Sequence, residues 1–365
     1  MHKLMATSTI LEHELSELRL LVERQTGIVL ECPNSALATH IAEYIEAQGL
    51  GTSGVLLERL RSGDADPANL ASLLNGLLNN NTGFFRHPGA LNALTRQVVP
   101  QLCARKSADG PSPLRIWSAG CSSGEETYSI AMAVCDAVSQ MAAAANNGNA
   151  TGNGKSSRGG IVDSEKTAPG LVNPAGLAIH IVGSDLLPQN IEAADRGVYR
   201  QSAVDGLPPA TIRNYFSKIS SPAILRNLEE NVDQERSEAR IGDTRNGWTR
   251  NGSARTLQAV SGSAGHLLVK PRLRSMVTFN CMNLARPGYI GRFDCIFCME
   301  VLPHFSRAQR IALIERLHLY LEPGGYLFLS QTEKLIPSNL NFRSETFDGY
   351  TFHRKPLAAS AAYGR

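Results

Sequence analysis

Glu125 and Glu126 directly follow a glycine-bearing turn, Ala119-Gly120-Cys121-Ser122-Ser123-Gly124, and a third acid, Asp185, closes a separate apolar run. A glycine turn lets the backbone pass close to a ligand, and the helix after it presents free N–H donors. Two carboxylates at that helix start repel a pyrophosphate but suit a ligand that carries an ammonium or sulfonium group. The alternative for the pair is stabilisation of the helix dipole by two surface acids. An acid at the carboxyl end of a strand, as Asp185 is placed, can accept both hydroxyls of a ribose; the alternative for Asp185 is a helix N-cap. The G-x-G-x-x-G spacing of dinucleotide-binding turns is absent, which disfavours a nicotinamide dehydrogenase.

These residues need strands and helices to hold them. Leu114–Ser118 reads as a strand before the glycine turn, and Glu125–Val138 as the helix after it. Leu177–Gly183 reads as a second strand ending at Asp185, with a helix from Pro188. Val277–Asn280, Phe293–Cys298 and Tyr326–Ser330 read as further strands, and Tyr350–His353 as an edge strand. Ser306–Leu321 reads as a helix with Ser306 and Gln309 spaced as a capping box, broken by Pro323-Gly324-Gly325. Strands separated by helices imply a mainly parallel sheet covered on both faces.

Upstream the pattern is helical. Leu11, Leu15, Leu18 and Val22 recur at helical spacing up to Gly27, and Ala36–Gln48 is a second helix ending near Gly51. Residues 1–80 therefore read as a small helical domain, 81–113 as a linker that begins the ligand site, 114–355 as the α/β domain and 356–365 as a tail. Residues 139–176 and 226–265 are rich in small and polar residues without periodicity and read as insertions in surface loops.

Composition narrows the function classes. Among 365 residues the net charge is +3, with lysines and arginines spread along the chain, which points away from a nucleic-acid partner. No run of about 18 uncharged apolar residues exists, so no membrane insertion is expected, and Glu12, Glu14 and Glu17 make the N-terminus unlike a signal peptide. The seven cysteines are an odd number in mostly apolar surroundings, the pattern of free thiols in a reducing cytoplasm. Cys295-Ile-Phe-Cys298 lacks a second ligand pair, and no metal is expected.

The run Asn80-Asn81-Thr82-Gly83-Phe84-Phe85-Arg86 resembles the N-x-T-x-F-F-R signature of the bacterial chemotaxis-receptor (protein-glutamate) methyltransferases, the CheR type. The resemblance continues in order through Arg115–Ala131, Gly183-Ser184-Asp185, Gly197-Val198-Tyr199-Arg200, Asn283-Leu284, Phe293–Cys298 and Leu321–Gly325. It implies a Rossmann-like S-adenosylmethionine methyltransferase domain preceded by a small all-helical domain. It further implies methyl transfer from S-adenosylmethionine to glutamate carboxylates of a chemoreceptor-like partner in the cytoplasm. Asn80, Thr82 and Arg86 would lie over the methyl donor, Glu125 and Glu126 would meet its amino-acid part, Asp185 its ribose, and Asn283 with Leu284 its adenine. A small-molecule methyltransferase would not explain the N-terminal helices. A glutamate carboxylate is already ionised at pH 7, so the transfer needs alignment rather than a general base, and Arg86 would orient the incoming carboxylate.

The chain departs from the family after the fourth strand, where Met299-Glu300-Val301-Leu302-Pro303-His304-Phe305 stands for an Arg-Asn and a Tyr-Phe pair. Met299 and Glu300 would border the donor, with a carboxylate in place of a neutral amide. His304 replaces a hydroxyl that in the family points into the active site. The second helix offers His40, Glu43 and Glu46 where relatives carry arginines that meet acidic receptor helices. These changes keep an alternative open: a donor-binding signalling module with impaired catalysis that acts through partner contacts. Relatives carry a small antiparallel subdomain after Tyr215-Phe216, and His266–Arg274 would supply one of its strands.

Overall fold

The computed structural model describes residues 10–62, 67–78, 81–109, 112–149, 178–219, 265–288, 291–335 and 340–357. Seven strands form one sheet in the order β6-β2-β1-β7-β8-β10-β9. They are β1 (Leu114–Ala119), β2 (Ile179–Asp185), β6 (Val277–Cys281), β7 (Phe293–Cys298), β8 (Leu321–Leu329), β9 (Arg343–Phe347) and β10 (Tyr350–Arg354). The first five run parallel, and β10 and β9 follow antiparallel. A second sheet, β3-β5-β4, is antiparallel and is built from Val198–Arg200, His266–Val269 and Phe216–Ile219.

Strand alternation separates two cores. Leu114, Ile116, Cys295, Phe297, Tyr326 and Phe328 face one side, packed by the helices α5 (Pro88–Ala93), α6 (Val99–Asp109) and α7 (Glu125–Asn149). Trp117, Ala119, Phe293, Ile296, Cys298 and Leu327 face the other. That second face is covered by the helix Arg307–Tyr320 and by the N-terminal helices α1 (Glu12–Thr26), α2 (Asn34–Gln48), α3 (Ser53–Ser62) and α4 (Pro67–Asn75). The N-terminal helices thus share a core with the sheet. Leu15, Leu18 and Val22 of α1 and Leu73 and Leu74 of α4 are all buried in it. Among the described residues no helix is long and apolar enough to cross a membrane.

Several expectations need correction. Tyr350–Arg354 is not an edge strand, because the unforeseen β9 pairs outside it through the tight turn at Asp348-Gly349. Ser306 precedes the helix Arg307–Tyr320, but its side chain makes no cap hydrogen bond, so the capping box does not form. The residues expected to break that helix open the nine-residue β8 instead. The insertion expected at 139–176 begins too early, since α7 continues to Asn149; the rest of it, from residue 150, lies outside the described residues, as does 226–264. In the small sheet β5 ends at Val269, and Pro271–Arg274 is a helical turn. Cys295 and Cys298 face opposite sides of the sheet, and burial pushes both thiols well up, which leaves them unable to share a metal.

Candidate functional site

The strand order reverses between β1 and β7, and the loops after the two strands diverge there to opposite faces. In open parallel sheets ligands bind in that crevice, at the carboxyl ends of the strands. A cavity of about 340 Å³ occupies it. Its walls come from the turn after β1 (Gly120, Cys121, Ser122), the end of β2 (Asp185), the segment after β6 (Met282, Asn283, Leu284) and the turn after β7 (Met299, Glu300, Val301). Further walls come from Asn81, Thr82, Gly83, Phe85, Arg86 and His87 and from Thr26 and Ile28 of the N-terminal region.

The glycine turn is shaped by contact. Gly120 has φ +82°, and a Cβ there would stand 2.5 Å from a Val301 methyl. Its N–H and that of Cys121 donate to the Ser184 carbonyl, which holds the turn against β2. Ser122, with a left-handed φ of 46°, donates its N–H to Asp185 Oδ2 at 3.0 Å. Asp185 Oδ1 accepts from the Leu187 N–H and the Asn190 side chain. Asp185 is not the N-cap of the next helix, a place taken by Leu187, but its bonds to Leu187 and Asn190 brace the start of that helix while its side chain also lines the cavity. Its burial pushes the carboxyl above its ordinary value, against the hydrogen bonds that favour the charged form.

The two helix-opening acids diverge. Glu126 lines the cavity, accepts from Ser118 Oγ at 2.7 Å, and is pushed up to about 7, mainly by burial and secondarily by the charge of Glu333. Glu125 does not line the cavity, because its carboxylate turns back to accept from Ser123 Oγ at 2.8 Å and from Thr82. Expectation and structure differ here for a geometric reason: adjacent positions on a helix point about 100° apart.

Thr82, Arg86, Glu126, Asp185, Asn283, Leu284, Met299, Glu300 and His304 all reach the cavity wall, whereas Asn80 lies outside the described residues. Arg86 donates through Nη1 to the Asn81 carbonyl and through Nη2 to Glu300. Phe85 lines the cavity with φ 53°, its N–H bound to Ser129 Oγ at 2.9 Å. Phe84 instead packs edge-on against Tyr199 and Phe216, against the core on that face of the sheet. Three of the four non-glycine residues with left-handed φ among the described residues, Phe85, Ser122 and Glu300, thus stand on this one cavity. Strained backbone of this kind clusters where a site must be shaped.

Sequence reading missed the part played by the N-terminal region. Ile28 bridges to Phe305, the Val29 N–H donates to the His304 carbonyl, and Asn283 Nδ2 donates to the Gln25 carbonyl. Thr26 and Ile28 then close one end of the cavity. Only the Gly27 that ends α1 signalled a special position there.

The side chains fit a cationic donor with a ribose. Three carboxylates, Asp185, Glu126 and Glu300, line the cavity together with Arg86, the one lysine or arginine among the described lining residues.

The sequence model of a family described as "CheR methyltransferase, SAM binding domain" matches residues 80–149 and 253–350. Chemotaxis protein methyltransferase 1 of Pseudomonas aeruginosa is 28% identical over 320 residues, 87% of this chain and 88% of that protein. Chemotaxis protein methyltransferase Cher2 of Pseudomonas putida is 26% identical over 327 residues, 88% of this chain and 90% of that protein. A chemotaxis protein methyltransferase of Vibrio parahaemolyticus is 24% identical over 334 residues, 91% and 92% of the two chains.

Proposed function

We propose that this chain, which matches the family described as "CheR methyltransferase, SAM binding domain" over residues 80–149 and 253–350, binds S-adenosylmethionine and forms methyl esters on glutamate side chains of a chemoreceptor-like protein. The observation that carries this reading is the cavity at the strand-order reversal, lined by three carboxylates and one arginine. When bound, S-adenosylmethionine supplies an electrophilic methyl on a sulfonium centre.

Asp185 holds the ribose hydroxyls, in hydrogen bonds worth about 1.5–3 kcal/mol each when one partner is charged. Glu126 meets the ammonium of the amino-acid part, and Asn283 with Leu284 borders the adenine. Thr82, Met299 and Glu300 complete the wall beside the reacting centre, and the glycine turn at Gly120 leaves room for close backbone approach. Asn80 belongs to the same signature.

Arg86 orients the incoming carboxylate. Its guanidinium has five N–H donors, of which the Asn81 carbonyl and Glu300 engage only some. The substrate glutamate is ionised at neutral pH, so no proton has to be removed, and alignment for in-line displacement supplies the acceleration. His304, on the same wall, donates a hydrogen bond where a hydroxyl stands in relatives. The helices before residue 81 and the α/β part after residue 113 act as two functional parts around the site, and a cytoplasmic setting follows from a chemoreceptor substrate.

The test is to incubate the protein with methyl-labelled S-adenosylmethionine and membranes from its own cell. Label on a membrane protein that mild base releases as methanol is the expected result. Base-stable label would place the methyl on nitrogen or sulfur and overturn the ester reading. A folded, donor-binding protein that labels nothing would favour the signalling-module alternative, which the Arg86–Glu300 pair motivates.

A further inference from the structure

Glu333 does not line the cavity, yet its carboxylate collects three backbone N–H groups. Oε2 accepts from Glu300 at 3.0 Å and from Ser330 at 2.9 Å, and Oε1 accepts from Leu302 at 2.9 Å. Two of these donors belong to the turn after β7, and the third follows the end of β8. One side chain therefore ties together the exits of two neighbouring parallel strands.

That turn and the residues after it supply Met299, Glu300, Val301, Pro303, His304 and Phe305 to the cavity wall. Glu300 sits in the turn with φ 58°, a conformation that strains a non-glycine residue and persists only where its surroundings enforce it. Glu333 grips the amide of Glu300 itself and the amide two residues on. Bonds from N–H to a carboxylate are the charge-assisted kind, stronger than neutral ones.

We propose that Glu333 is a positioning residue of the donor site: by holding the Glu300 and Leu302 amides it keeps the turn in the left-handed form that aims Glu300 at Arg86 and sets the wall against the donor. The proposal rests on reading the cavity as that site. A residue that merely stabilised the loop would leave ligand affinity and its pH dependence unchanged.

A second link supports the assignment. The charge of Glu333 acts on Glu126 in the direction that raises its pKa, while Arg86 acts oppositely. The other groups that feel Glu126 are Cys121, Cys298 and Tyr350, and burial keeps all three protonated at neutral pH. Glu333 thus influences the site through backbone geometry and through charge, and the two effects separate by substitution.

The experiment is calorimetric titration of the full chain with S-adenosylhomocysteine between pH 5.5 and 8.5, for the parent, Glu333→Gln and Glu333→Asp. Glu333→Gln loses the charge and sets an amide N–H₂ against backbone donors. It should weaken binding about tenfold or more and move the pH midpoint of the residual binding downward. Glu333→Asp keeps the charge but withdraws the carboxylate, so it should weaken binding similarly with the midpoint in place. It also carries the test if the amide variant does not fold. Peptide hydrogen exchange over 299–303 should quicken in either folded variant. Affinities within about twofold of the parent for the folded variants would overturn the positioning role alone. Absence of binding by a folded parent would overturn the donor-site reading and the positioning role together.

Discussion

Arg86 Nη2 lies 3.3 Å from Glu300 Oε2, joining two cavity residues 214 positions apart in the chain. Both side chains are about two-fifths exposed, at 41% and 43%. An ion pair so exposed contributes about 0–1 kcal/mol to stability. Its consequence is therefore for what enters the cavity: the one guanidinium among the described lining residues is partly engaged by a carboxylate.

Glu300→Gln should change unfolding free energy in urea by less than about 1 kcal/mol. It should weaken S-adenosylmethionine more than S-adenosylhomocysteine, because only the former carries a sulfonium charge for the carboxylate to attract. At an effective dielectric of about 40, between the protein-surface and water values as suits a half-exposed side chain, one charge removed about 6 Å away shifts the ratio of the two dissociation constants roughly tenfold. Parallel titrations with both ligands measure the ratio. An unchanged ratio would place Glu300 away from the sulfonium.

Glu126 supplies a pH dependence with a definite sign. Its carboxyl is pushed from 4.5 up to about 7 in the folded chain, mainly by burial. The folded state thus holds a proton that the unfolded chain has lost, so this contribution to stability is complete below about pH 4.5 and disappears as pH rises through 7. Asp185 and Glu125 are raised too and act in the same sense. Binding of a cationic ligand runs the other way, since it needs the ionised form. Affinity for S-adenosylmethionine should rise between pH 6 and 8 while the apo protein loses stability, and Glu126→Gln should flatten both trends.

The pattern of residues carries the α/β class, the parallel strands and most of the cavity. β1, β7 and the turn between Ala119 and Gly124 are legible because apolar runs end in glycine or an acid at the carboxyl edge of the sheet. Glu125 illustrates what spacing cannot give, since neighbours on a helix diverge and only packing decides which one faces the ligand. β9 escaped because Arg-Ser-Glu-Thr-Phe has few apolar residues and takes its strand form from pairing with β10. Glu333 escaped because its partners are backbone amides, which leave no pattern in the sequence.

Asp185→Ala should cost both stability and binding. The substitution orphans the N–H groups of Ser122 and Leu187 and takes one acceptor from the side chain of Asn190. An unsatisfied buried donor costs about 1–3 kcal/mol, so urea unfolding should register a loss of several kcal/mol. S-adenosylhomocysteine at a hundredfold excess over its dissociation constant should stabilise the parent by about 2.7 kcal/mol and the variant not at all. A variant that still gains stability from the ligand would show that the ribose is held elsewhere.

Gly27 tests whether the N-terminal helices complete the donor site. It ends α1 with φ +78°, and an added Cβ would stand 2.4 Å from the Ala285 methyl and 3.1 Å from the Phe305 ring. Its neighbours Thr26 and Ile28 line the cavity, and Ala285 directly follows the proposed adenine contacts Asn283 and Leu284. Gly51 provides the matched control, for it shares φ +78° but has nothing within 4 Å of its added Cβ. Alanine at either position incurs the left-handed penalty of about 1–2 kcal/mol. Gly51→Ala should show that loss alone, with S-adenosylhomocysteine affinity kept. Gly27→Ala must also push the α1 terminus away from the cavity, so affinity should fall about tenfold. Thermal unfolding with and without ligand separates the two effects. If both variants lose stability equally and keep affinity, the helices cover the sheet without shaping the ligand site.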